Sequence, residues 1–215
     1  MKVMSLRSAS LIAALALVAF AEGRADDAFA GAISKPQLQA KLQYCKTCHG
    51  LSGQGFRGYF PIPRLAGQQP QYIENQLRAF LEHRRTNPVM LNVTHGLTPW
   101  MIPALAEQFR SLHPNPLGGG PKASMALGKK IFEEGLPDSN VPACFACHGP
   151  DAKGHGEIPR LAGQLYWYIV KALTGWSKER GHGSAKDLSA IMVPTTHNLT
   201  YREVEAVAAY LSYLK

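Results

Sequence analysis

Cys45-Lys46-Thr47-Cys48-His49-Gly50 returns ninety-nine positions later as Cys144-Phe145-Ala146-Cys147-His148-Gly149. Around this pair the chain repeats itself. IPRLAGQ at Ile62–Gln68 recurs unchanged at Ile158–Gln164, and Tyr72 and Tyr168 each follow its closing Gln by four residues. Met90 then opens MLNVTHGLT and Met192 opens MVPTTHNLT, which share Met, Thr, His, Leu and Thr. The offset between copies runs 99, then 96, then 102, so order is kept and only loops change length. A self-similarity of this kind is the mark of a duplicated structural unit. The copies are assigned to residues 34–113 and 124–215. The Pro- and Gly-rich stretch 114–123 between them lacks periodic apolar residues and reads as a linker.

The local signals are helical. Ser34-Lys35-Pro36-Gln37 offers an N-cap, a Pro in the first turn and a Gln at the capping-box position, and Ser124 opens a matching segment. Pro70 opens a second helix with Tyr72, Ile73, Leu77 and Phe80 on one face, answered by Tyr168, Ile169, Leu173 and Trp176. A final helix is expected from Thr98 in the first copy and from Thr200 in the second, where Glu203 completes a capping box. Pro103 is awkward inside the first of these. No run alternates with period two, so the predicted class is all-α.

Cys-x-x-Cys-His is the attachment sequence of a c-type haem. Both thiols form thioethers with the porphyrin and the adjacent His becomes an axial ligand, here Cys45, Cys48 and His49, and Cys144, Cys147 and His148. The competing readings explain less. Zinc needs four ligands and each cluster has no partners beyond itself. A redox Cys-x-x-Cys belongs in a βαβ context. Disulfides between copies would leave the repeated His without a role. Two covalently bound haem c groups use all four Cys.

A second axial ligand is expected late in each copy. The second copy has a single Met after its attachment site, Met192, whereas the first has Met90 and Met101. Repeat alignment pairs Met90 with Met192 and Met101 with Glu203, so Met90 and Met192 are the candidates and Met101 an apolar helix residue. Imidazole plus thioether closes both axial positions, which suits electron transfer. His95 and His197, five residues beyond each Met, are the rival ligands; otherwise they are loop residues. Pro63 and Pro159 are candidates to accept the Nδ1 proton of each axial His. Arg64 and Arg160 are candidates to pair with haem propionates, with an exposed cation as the competing reading. Tyr72, Tyr168, Phe80 and Trp176 read as core against the porphyrin, and His83, His155 and His182 as surface.

These motifs together resemble the two-haem class I cytochromes c of the cytochrome c4 type. The resemblance rests on Cys45–His49, Pro63–Gln68, Gln76-Leu77-Phe80, Met90 and Thr98 onward, and on Cys144–His148, Pro159–Gln164, Leu173–Trp176, Met192 and Thr200 onward. It implies two tandem class I cytochrome c domains, each wrapped around a covalent haem, and an electron carrier of the bacterial periplasm. The expected donor is a quinol–cytochrome c reductase or a dehydrogenase, and the expected acceptor a terminal oxidase or reductase. The alternative is a haem-carrying electron-acceptor subunit of a periplasmic dehydrogenase, such as a flavocytochrome sulfide dehydrogenase. An enzyme such as a peroxidase would need an open axial position, which Met ligands in both copies argue against.

The remaining features agree with an exported carrier. Lys2 and Arg7 precede the uncharged apolar run Leu11–Ala21, and Ala19-Phe20-Ala21 offers a peptidase site, with Ala28-Phe29-Ala30 as a second possibility. That run of eleven residues reaches roughly 16 Å as a helix, about half of a bilayer core, so residues 1–21 read as a cleavable signal peptide and at most peripheral membrane association is expected. Charged residues make up 18% of the 215-residue chain, below the rough 25% of soluble domains, and apolar ones 46%, which excludes a disordered chain. The net charge of +8 is not gathered into a Lys/Arg stripe interleaved with aromatics, so nucleic acid is not an expected partner.

Overall fold

The computed structural model describes residues 33–180 and 187–215; the stretch read as an export signal, 1–21, and His182 lie outside them. The described residues form α-helices joined by irregular loops, with three isolated antiparallel bridges and no strand. The all-α class therefore holds.

The first copy contains α1 (Lys35–His49), α2 (Pro70–Leu81), α3 (Pro88–His95) and α4 (Met101–Arg110). Ser34 and Gln37 form the expected capping box, with each side chain accepting from the other's backbone N–H. This satisfies donors that a helix start otherwise leaves unpaired. Leu42 of α1, Ile73 of α2 and Leu105, Ala106 and Phe109 of α4 make one buried cluster, with Met101 packed at its edge. The helix expected from Thr98 starts only at Met101, because the Thr98 carbonyl is taken by the Met101 N–H in a turn at 3.0 Å. Pro103 then falls in the first helical turn, where a missing N–H costs no hydrogen bond.

The second copy contains α5 (Met125–Glu134), α6 (Phe145–His148), α7 (Tyr166–Thr174), α8 (Trp176–Glu179), α9 (Met192–Thr196) and α10 (Tyr201–Tyr213). Ser34 precedes Cys45 by eleven residues, but Ser124 precedes Cys144 by twenty, and the extra length splits one helix into two. Gly135, at φ 72°, ends α5 where a Cβ would collide with the Val141 carbonyl, and a Leu136–Val141 bridge leads to the short α6. Ser124 immediately precedes α5, as expected, although it is itself in the helical conformation and its side chain, unlike that of Ser34, makes no cap hydrogen bond. Gly175 likewise places Trp176 at the start of α8 rather than on the α7 face.

Thr200 and Glu203 cap α10 reciprocally, as expected. Ala206, Ala208 and Ala209 of α10 are fully buried, and Gly128 of α5 lets the two backbones approach so closely that a Cβ there would overlap the Ala206 carbonyl. Ile131, Phe132, Tyr166, Ile169 and Val207 complete this second core.

The repeated IPRLAGQ strings join the two copies. The Gln68 side chain donates to the Arg160 carbonyl (3.0 Å) and accepts from the Arg160 N–H (2.7 Å). Gln164 does the same to Arg64, at 3.0 and 2.8 Å. Each Gln thus imitates one rung of a β-ladder, and the two rungs are related by the duplication. A third link is the ion pair of Arg84 with Asp187 at 2.6 Å. Burial alone would raise the Asp187 carboxyl, but hydrogen bonds from Ser189 and the Arg84 charge outweigh it and hold it low.

Because the folded value is depressed, this stabilisation is present above the unfolded value near pH 4 and is lost as pH falls through the folded one. Asp187→Asn should lower urea stability by roughly 1 to 2 kcal/mol at pH 7 and by much less at pH 3. Equal losses at both pH values would show that the carboxylate charge is not what holds this contact.

Candidate functional site

α1 places Cys45 and Cys48 one helical turn apart with His49 at its end, and the Cys144–α6 segment does the same for Cys147 and His148. Residues three apart on a helix share a face, so both thiols of each pair address one edge of a ligand. Cys45 and Cys144 are half-buried, Cys48 and Cys147 exposed, and none forms a disulfide. Burial raises the Cys45 thiol, and raises Cys144 to about 11, against weaker lowering by backbone hydrogen bonding at both. These are not the acidic thiols of a disulfide oxidoreductase. Among the described residues no cluster of three or more His, Cys, Asp or Glu is arranged to hold a metal ion.

His49 and His148 are buried, and Nδ1 of each lies 2.8 and 3.0 Å from the carbonyls of Pro63 and Pro159. A carbonyl only accepts, so Nδ1 carries the proton and Nε2 keeps its lone pair for a metal. Burial lowers both imidazoles; each Pro carbonyl opposes this, and the Arg85 charge adds to it at His49. Each ring is thereby kept neutral, the form that binds iron. Gly50 and Gly149, at φ 85° and 78°, turn the chain so that the His carbonyls accept from Gly55 and Gly154, both at 2.8 Å.

Met90 lies in the first turn of α3, half-buried, where the Asn87 side chain accepts from its N–H at 3.0 Å. Met192 opens α9 and is also half-buried. His95 is the last residue of α3, whereas His197 lies just beyond α9 in the turn that leads to α10. Both are exposed, and His197 is turned back on the Pro194 carbonyl at 2.9 Å.

Arg64 is neither an exposed cation nor aimed outward. It is 5% exposed and donates to the carbonyls of Ala66 and Pro114 at 3.0 and 2.9 Å. Arg160 is half-buried and donates to the Ala162 carbonyl at 3.0 Å. Burial and the facing Arg160 lower the Arg64 guanidinium to about 10.

Sequence reasoning missed a second cationic group. Arg180, 5% exposed, donates to the Tyr72 and Tyr168 hydroxyls at 3.0 and 2.6 Å, and Arg85 donates to the same Tyr168 oxygen at 2.9 Å. Arg85 stacks over Phe80 and Arg180 over Trp176, each at 4.6 Å. Burial would raise the Tyr168 hydroxyl, but the two guanidiniums outweigh it and pull it down to about 8. The repeat offset of 96 aligns Arg180 with Arg84, one residue away from the Arg85 that shares its role, so the parallel was hidden by a one-residue slip. Neutral imidazoles, paired thiols and the Arg85 and Arg180 guanidiniums, which pair with no carboxylate among the described residues, together fit a porphyrin with carboxylate arms.

Comparison with known proteins bears on the same residues. The Cytochrome c family profile matches residues 125–215. The chain is 37% identical to cytochrome c-552 of Acidithiobacillus ferridurans, over 97% of its own length and 88% of the relative's. It is 35% identical to the thiosulfate dehydrogenase electron acceptor of Thiomonas intermedia, over 78% and 77% of the two lengths. The solved cytochrome c4 of Acidithiobacillus ferrooxidans superposes with a TM-score of 0.68 at 37% identity, over 80% of this chain and 99% of that one.

Proposed function

Since the chain belongs to the dihaem cytochrome c4 family and carries electrons on two covalently bound haem c groups, we propose that His49 with Met90, and His148 with Met192, are the axial ligands of the two irons. The thioethers are assigned to Cys45, Cys48, Cys144 and Cys147. Bound haem supplies a one-electron ferrous–ferric couple. The protein's own part is to hold His Nε2 free, to bury the ring and to close the iron against small ligands. The observation that carries this reading is the repeat itself. Both imidazoles are oriented by a Pro carbonyl in the same way, and both Met residues occupy the first turn of a short helix.

The protein is assigned to the periplasm, on the charged start and apolar run of residues 2–21. No helix among the described residues is long and apolar enough to cross a membrane. It passes electrons from a quinol–cytochrome c reductase or dehydrogenase to a terminal oxidase or reductase and turns over no substrate of its own. A second reading, electron acceptor to a periplasmic dehydrogenase, is favoured by the likeness to two proteins named as thiosulfate dehydrogenase electron acceptors. Co-purification of a dehydrogenase chain with the native protein would select the second.

Met90→Ala and Met192→Ala should each remove about half of the far-red thioether–ferric band and open one iron to carbon monoxide, while His95→Ala and His197→Ala leave both unchanged. Loss of the band in the His variants, with retention in the Met variants, would reassign the ligands.

A further inference from the structure

The segment that carries Met192 is held differently from the one that carries Met90. α3 is eight residues long, is anchored by the fully buried Thr94, and opens with the Asn87 side chain accepting from the Met90 N–H within the same copy. In the second copy a 3₁₀ turn, Leu188–Ile191, runs into the five residues of α9, and no residue from 187 to 197 is buried. Leu188, Ile191 and Val193 are exposed. Helices this short do not persist alone, so with no buried side chain to anchor it the segment draws its position from polar contacts.

Those contacts converge on Ser189, three residues before Met192. The Trp176 Nε1–H donates to the Ser189 carbonyl at 2.9 Å, and the Asp187 carboxylate accepts from the Ser189 N–H at 2.9 Å. The first of these has no counterpart in the other copy, where Phe80 stands for Trp176 and carries no N–H. The other Asp187 oxygen is taken by Arg84 of the first copy at 2.6 Å. Arg84 is itself fixed there, because it also donates to Glu82 at 2.6 Å and to Asn75 Oδ1 of α2 at 3.2 Å. The Asp187 side chain is 7% exposed, and a charge pair shielded in this way is screened less than a surface one. Two residues on, the Thr86 N–H donates to the Glu179 carbonyl at 2.8 Å, so the backbones are joined beside the ion pair. A continuous line thus runs from α2 of one copy through Arg84, Asp187 and Ser189 to the Met192 segment of the other.

Resting on the ligation proposed above, we propose that Arg84 is a positioning residue for the second iron. By gripping Asp187 across the junction it keeps Met192 in place, so the first copy sets how firmly the second copy's thioether is held. A thioether is a soft ligand and a poor match for ferric iron, so this hold matters most in the oxidised protein.

The test titrates imidazole into the oxidised two-haem protein and follows the far-red thioether band. In a Met90→Ala background the band that is left belongs to the second iron. There Arg84→Gln is expected to let imidazole displace the thioether roughly tenfold more readily, the order lost with one charge-assisted hydrogen bond. Asp187→Asn breaks the same contact and is expected to give the same change, with nothing further in the double variant. Arg84→Lys keeps a cation within reach of Asp187 and is expected to return the affinity towards the parent's. In the mirror background, Met192→Ala, the first iron should respond to imidazole alike with and without Arg84→Gln.

An imidazole affinity unchanged from the parent's in folded Arg84→Gln, or in Asp187→Asn if that variant does not fold, would overturn the proposal. The pair would then be a structural link, however far the denaturation midpoint moves. An equal change at both irons would also overturn it, by showing a general loosening. Retention of the full band by Met192→Ala would instead refute the ligation on which the proposal rests.

Discussion

Cys144→Ser with Cys147→Ser gives a protein lighter by one haem, in which the first copy keeps its spectrum and the second loses cooperative unfolding. The reason is size. Residues 124–215 form a small unit whose core, centred on Ile131, Phe132, Ile169 and Val207, takes its helical part from α5, α7 and α10, with only Ala152 and Ala162 buried from the loops. A unit near this size rarely draws more than roughly 3 to 5 kcal/mol from its own apolar core. α6, α8 and α9 are four or five residues long and do not persist on intrinsic propensity. What they have in common, on the ligation proposed above, is the porphyrin site: α6 carries Cys147 and His148, α8 carries Trp176 and α9 carries the proposed ligand Met192. Intact mass counts the haem and circular dichroism reads the helix content. A second copy that melts as cooperatively as the parent without its thioethers would show that the polypeptide core suffices.

Gln164→Ala should destabilise the protein by about 1 to 3 kcal/mol and Gln68→Ala by less. Gln164 is buried and satisfies both the N–H and the carbonyl of Arg64, so its loss leaves two polar groups dry and unpaired. Gln68 serves Arg160, which is only half-buried and takes up water more easily. Both contacts cross one pseudo-symmetric junction, so the double variant should not be additive, because once one rung is gone the other loses its alignment. Gln164→Glu is the informative companion, since it keeps the acceptor, abolishes the donor and buries a charge. Chemical denaturation should then show two transitions in the double variant where the parent shows one. Unchanged midpoints for all four variants would mean that the junction is held by its other contacts, among them the Arg84–Asp187 pair and the hydrogen bonds of Arg85 to Tyr168 and of Arg180 to Tyr72.

The sequence made the chemistry more legible than the packing. Cys-x-x-Cys-His is a local motif whose meaning needs no neighbours, and the duplication supplied its own check by repeating it. Capping boxes at Ser34 and Thr200 were readable because a cap is decided within four residues. The second copy's first helix was legible at its start beside Ser124 but not in its division from α6, since that depends on how the extra residues before Cys144 fold back at Gly135. The same limit applies to IPRLAGQ, whose identity in both copies was visible but whose use was not. A Gln reaching a backbone ninety-two or one hundred residues away leaves no trace in local pattern. Arg85 and Arg180 escaped for a related reason, because side chains at different repeat offsets converge only in three dimensions.

Potentiometric titration of the intact protein, followed by its visible spectrum under argon and then under carbon monoxide, tests the central claim most directly. The account predicts two one-electron steps, a far-red band in the fully oxidised protein, and a reduced spectrum that carbon monoxide leaves untouched. A carbon monoxide adduct forming promptly at either iron would contradict it, because an accessible coordination position belongs to a catalyst or ligand binder and not to a closed electron carrier.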